Sequence, residues 1–227
     1  MHTSSPERAT WSAGLPILAT VLFYALPFDL QSHQTIQFFP QVLAYAALAW
    51  WVARNSNITA RIGLRLAQLG QGLRWGAATG LILGTINTAA ILWIIPRLGY
   101  DISFLRETPH AQIPPAIMLP WFITLIAVLV EVNFRGFLLG HLLILAERMA
   151  HALPMPLAVT LAIGVSALAF SFDPFMVITF QHLHWIALWD GLIWGLLWVR
   201  LRNLYVPIIA HAVEVMVMYS AIRAVLA

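Results

Sequence analysis

The sequence predicts an all-α fold: a polytopic transmembrane helix bundle of about seven spans, N-terminus inside and C-terminus outside. Three observations predict it. The chain is 61% hydrophobic and only 9% charged, where a soluble domain carries roughly 25% charged residues. Its apolar runs are each near the roughly 20 residues that cross about 30 Å of hydrocarbon. Its arginines gather at alternate ends of those runs, as the positive-inside rule requires.

The spans fall at 11–28, 36–53, 74–95, 114–133, 155–172, 175–199 and 205–225. The first follows a short polar start without a small-residue cleavage site, and it reads as a retained span rather than a signal peptide. The breaks lie at Pro27, Pro96, Pro114-Pro115, Pro154 with Pro156, Asp173-Pro174 and Arg202-Asn203, where proline removes a donor and fixes φ. The fourth span continues as one long or kinked helix toward Arg148. With the N-terminus inside, Arg8, Arg54, Arg61, Arg65, Arg74, Arg148, Arg200 and Arg202 lie inside. Arg97, Arg106 and Arg223 lie outside. Residues 58–74 read as a basic amphipathic stretch on the inner surface, and 97–112 as the longest irregular loop. The whole of 1–227 forms a single integral membrane domain, 1–57 being its N-terminal spans.

Composition excludes several chemistries. There are no cysteines, so disulfides, thiolate catalysis and cysteine-ligated metal are out. All twelve basic residues are Arg, which rules out a lysine Schiff base and a Ser-Lys dyad. A formal charge of +3, with arginines at membrane edges, does not suggest nucleic acid as a partner. Ten Trp and five Tyr suit interfacial anchoring in a lipid bilayer.

The chemistry-bearing residues are intramembrane. Glu131 and Arg135 interrupt the run L-I-A-V-L-V-E-V-N-F-R-G-F-L-L-G. A charge near the bilayer centre costs roughly 2.5–3.5 kcal/mol on insertion scales, so it has a partner or a task. Their i,i+4 spacing puts both on one helix face, where they can neutralise each other. His184 shares a helical stripe with Gly191 and Gly195, glycines that admit a neighbouring helix closely; His182 points the other way. His211 precedes Glu214 by three, so Glu214 can orient or charge it. A lone acid pair or histidine is most often structural; three polar clusters at similar depth favour function. Asp190 reads as structural. His2, His33, His110, His141 and His151 fall in tails, loops or membrane edges and take no role.

These residues resemble the CAAX prenyl proteases and bacteriocin-processing enzymes, the glutamic intramembrane endopeptidases. Glu131-Val-Asn-Phe-Arg-Gly136 is similar to that family's E-E-x-x-F-R-G, and Phe180-Gln-His-Leu-His184 to its F-x-x-x-H. The run from Gly191 through Arg200 to His211-Ala212 is similar to its G-x-x-x-G-x-x-x-x-R…H-A ending. The resemblance covers roughly 60–220. Val130 stands where the family has the first Glu of its pair, and Val215 where it has Asn. Family spacing to Gly191 would place the second motif's His near Asp173-Pro174.

The resemblance implies an intramembrane endopeptidase acting on a membrane-anchored or membrane-proximal peptide or protein, in the bacterial inner membrane. Glu131 would be the general base, with Arg135 setting its charge state and His184 relaying the proton. His211, oriented by Glu214, would stabilise the oxyanion, and Glu214 is the alternative base. No cofactor is required, although two His and two Glu could hold a divalent metal. Val130 and Val215 keep open an inactive relative that binds a peptide or partner, as in bacteriocin immunity. A proton-coupled carrier is a third reading, against which the lack of an inverted repeat weighs.

Overall fold

The computed structural model describes residues 8, 10–148 and 154–226; His2 and His151 lie outside them. Every element among these residues is helical, with no strand. The main helices are α1 (Gly14–Tyr24), α2 (Phe39–Arg54), α3 (Leu69–Ala89), α4 (Pro115–Arg148), α5 (Met155–Ser171), α6 (Pro174–Phe180), α7 (Trp185–Leu201) and α8 (Tyr205–Leu226). The expected continuation of the fourth span to Arg148 is present. It is interrupted by two wider π turns, Met118–Phe122 and Val132–Leu139.

Four helices are long and apolar enough to cross a membrane: Thr35–Arg54, Ile58–Arg97, Pro115–Arg148 and Tyr205–Leu226. A fifth is added if Met155–Ser171 and Pro174–Leu183, bent by 56°, count as one span. The expected continuous sixth span, 175–199, is corrected. The chain breaks into α6, a 3-10 turn at Gln181–Leu183, and α7. Asp173 starts α6 by accepting from the Phe175 amide at 3.0 Å, with Pro174 in the first turn, so the new helix is capped and cannot fuse with α5.

Loop contacts define two ends of the bundle. At one end Trp198 Nε1 donates to Ile62 O at 3.0 Å, the Leu204 amide to Gly63 O at 3.0 Å, and Asn203 Nδ2 to Gln68 O at 2.9 Å. At the other end Tyr24 Oη donates to Phe172 O at 2.9 Å, Gln41 Nε2 to Asp173 at 2.8 Å, and Arg223 to Ala111 O at 3.1 Å. The stretch 58–74 is mostly exposed and is not one continuous helix. It folds as a short helix Ile58–Ile62, a turn at Gly63 and the start of α3, with Ile62 buried. Gly63 has φ +84°, and a Cβ there would lie 2.5 Å from Arg202 O. Only glycine fits this junction.

Glycine seams bring the helices together. Gly72, Gly76, Gly80 and Gly84 repeat every four residues along α3, and Tyr205, Ile209, Val213 and Val217 of α8 fill the space their missing side chains leave. This is the close approach that small-xxx-small spacing permits. The seam expected from Gly191 and Gly195 is present as well, packing α7 on Ala167 and Ile163 of α5.

Candidate functional site

Three of the expected site residues meet. Glu131 Oε1 accepts from Arg135 Nη1 at 3.1 Å and is bonded to His211 Nδ1 at 2.8 Å. Glu131 and Arg135 are fully buried, and His211 is 8% exposed. The two helices contribute differently. Glu131 ends the α-helical part of α4, and Arg135 lies in the π turn that follows, a wider turn frequent at functional sites. His211 comes from α8, eighty positions away. Aromatic faces enclose the group. The Arg135 guanidinium lies 4.7 Å from the Phe170 ring centroid and 5.1 Å from that of Trp194, and Trp194 stacks on His211 at 4.6 Å. Gly191 makes room for the guanidinium, since a Cβ would lie 3.1 Å from Arg135 Nη2.

Glu214 goes elsewhere. It was expected to orient His211; instead Asn87 Nδ2 donates to Glu214 Oε1 and, at 3.2 Å, to both oxygens of Asp190. The reason is geometric: His211 is taken by Glu131 across the helix interface, while Glu214 faces α3. Asn87 and Glu214 are fully buried and Asp190 is 3% exposed. Asp190, expected to be structural, joins Asn87 and Glu214 in a second polar group beside the first.

His184 is not brought to Glu131. It precedes the first residue of α7 beyond the break, its Nδ1 2.7 Å from Gln181 O and its ring edge-on to Phe172. The expectation of a place on the Gly191 stripe inside a span fails because the helix begins only at Trp185. His141, expected at an edge, is buried within α4 with Nδ1 2.6 Å from Phe137 O.

A cavity of about 580 Å³ runs from the Arg106–Arg223 end of the bundle to these polar groups. His211, Asp190, Glu214, Asn133 and Trp194 line its depth and apolar side chains most of the rest. Val130 and Val215 are on its wall, whereas Glu131 is not among the lining residues. His211 therefore stands between Glu131 and the cavity. His110, given no role from sequence, lines the same cavity. Burial and the neighbouring His211 push its pKa below the usual 6.5, which keeps it neutral at pH 7.

Gln181, at the break beside this cavity, has φ +47° and ψ −128°, a conformation essentially reserved for glycine that costs of order 1–3 kcal/mol. Gln181→Gly is expected to raise the thermal midpoint of the purified protein, with about 1 kcal/mol recovered. An unchanged or lower midpoint would show that the Gln181 backbone is not strained.

Sequence reasoning did not single out Asn87, the partner of both Asp190 and Glu214. The signal for Asn87 was the four-residue glycine repeat: Asn87 lies three beyond Gly84, on the face that meets α8.

The fold and site together define a helical membrane-type bundle with a buried acid–arginine–histidine group at the end of an apolar cavity. No protein-family model, curated protein or solved structure matches the chain.

Proposed function

We propose that the chain is an intramembrane endopeptidase of the glutamic type, cleaving a membrane-anchored or membrane-proximal peptide or protein at the deep end of the cavity. The supporting observation is the convergence of Glu131 and Arg135 of α4 with His211 of α8 beside that cavity. In this reading the protein crosses the bilayer seven times, N-terminus inside, in a bacterial inner membrane. The alternation of its loops between two ends and the arginine-rich end formed by Arg54, Arg61, Arg65 and Arg202 favour that topology.

The roles follow from which groups reach the cavity. Glu131 does not line it, so its task is to hold His211 through Nδ1 and to stabilise the imidazolium, with Arg135 fixing Glu131 in turn. His211 directs Nε2 at the substrate carbonyl oxygen and stabilises the oxyanion. Glu214, which does line the cavity, activates the water. His184 has no part in this scheme. No metal is required, so activity is expected to survive chelation.

The test compares membrane-protein termini in cells expressing wild type and Glu131→Gln at equal levels. A terminus that appears with wild type and disappears with the variant is expected, and it names the substrate. Identical termini from a folded variant would reject the assignment. Val130 and Val215 on the cavity wall favour a second reading, a peptide-binding relative without activity. Under that reading a hydrophobic peptide is retained by Glu131→Gln and no product forms with either protein.

A further inference from the structure

The cavity presents two acids, neither of them on the helix that carries Glu131. Val130, on the cavity wall, brings no carboxylate. Asp190 of α7 and Glu214 of α8 line that cavity instead, and Asn87 Nδ2 bonds oxygens of both carboxyl groups. Two buried carboxyl groups held on one nitrogen repel each other when both are ionised, which a proton on one of them relieves. Asn87 spans the pair, its single amide nitrogen serving three carboxylate oxygens.

Orphaned polar atoms beside the pair point to an absent polar ligand. Trp194, 2% exposed on the cavity wall and stacked on His211, has an indole N–H with no acceptor among the described residues. Glu214 Oε2, on the same wall, and Asn87 Oδ1, on the residue that bonds Glu214, are also buried without a donor among the described residues. The unpaired Trp194 donor and Glu214 acceptor on one cavity wall would be satisfied together by a carbonyl oxygen and a water, since buried polar groups are costly when left unmade.

We propose that Asp190 and Glu214 form a proton-sharing carboxyl dyad that activates the hydrolytic water, making Asp190 a catalytic residue and Asn87 its positioning residue. This rests on the endopeptidase reading. The ionised member takes a proton from water as the water oxygen bonds to the scissile carbonyl carbon. The oxyanion is held by His211 and the Trp194 N–H. When the C–N bond breaks, the dyad returns that proton to the leaving nitrogen. The products are a carboxylic acid and an amine, and the dyad and His211 end as they began. Two carboxyl groups sharing one proton are an established way to perform acid and base work in one site.

The experiment has two independent readouts on full-length protein in native-like bilayers. The first is the wild-type-specific terminus, scored for Asp190→Asn, Asp190→Glu and Asn87→Asp. The dyad predicts loss of the product by 10²-fold or more in Asp190→Asn, partial rescue by Asp190→Glu, and an altered pH profile in Asn87→Asp. Full activity of Asp190→Asn overturns the dyad while leaving the endopeptidase reading intact. If no wild-type-specific terminus exists, the endopeptidase reading fails, and the second readout decides the dyad. That readout is the infrared carbonyl stretch of a protonated carboxyl group at neutral pH. Its presence in wild type and loss in both Asp190→Asn and Glu214→Gln supports proton sharing, and its absence from wild type overturns it. Thermal unfolding of each variant identifies loss through misfolding, in which case Asp190→Glu decides the first readout.

Discussion

Arg135→Met lowers the stability of the protein by about 3–5 kcal/mol, the cost of stranding a buried charge whose partner is removed. Glu131 is fully buried and has two partners, Arg135 and His211, on one oxygen. Removing the guanidinium leaves a carboxylate supported by a single imidazole in surroundings dominated by Phe170 and Trp194. The size of the loss separates this pair from an exposed i,i+4 pair, worth about 0.3–0.5 kcal/mol. Combining Glu131→Gln with Arg135→Met recovers most of the stability, because no uncompensated charge remains. Thermal unfolding in detergent, followed by the fluorescence of the ten tryptophans, measures all three variants. A single variant within 1 kcal/mol of wild type would refute the buried-pair argument, as would a double variant no better than the single.

The second large effect belongs to the α3–α8 seam. A Cβ at Gly80 would lie 2.5 Å from Ala210 O and 2.8 Å from the Val213 Cβ. Neither backbone oxygen nor branched carbon can rotate away, so the helices must separate. Gly80→Ala is expected to cost about 1–3 kcal/mol, despite alanine's higher helix propensity. Gly164→Ala is the control: nothing lies within 4 Å of its Cβ, and the change is expected to be neutral or to gain up to about 1 kcal/mol. Separation at Gly80 also moves His211 and Glu214, which flank the seam on α8, so Gly80→Ala should reduce any activity more than its stability loss explains. Equal midpoints for the two variants would mean the seam is not tight.

Helices were legible from apolar run length and proline breaks, because those signals are local. So was the Glu131–Arg135 pair, whose spacing places both side chains on one helix face. The partner of that pair was not. His211 reaches Glu131 from another helix, and no periodicity encodes which helices are neighbours. The i,i+3 rule therefore gave His211 the nearer acid, Glu214, when the bundle turned that acid toward Asn87. The break at Gln181–Leu183 was hidden for a different reason: residues 175–199 contain apolar side chains on both sides of it, and composition cannot see a change of direction. Its marker, Asp173-Pro174, was read as the start of a span and is also the cap of a short helix that ends seven residues later.

The π turn at Val132–Leu139 has a consequence for how this bundle tolerates insertions and deletions. A π turn is a helix carrying one residue more than its α-helical phase allows. Residues before Glu131 keep one phase against α8, and residues after Leu139 keep another against α2 and α5. Deleting a single residue inside 132–139 would let the segment relax to α geometry and rotate all that follows by about 100°. Phe137 and Leu139 would then leave the packing around Trp51 and Trp198, or Arg135 would leave Glu131. The extra residue acts as a phase adapter, allowing one continuous helix to satisfy a polar centre and a separate apolar core at once.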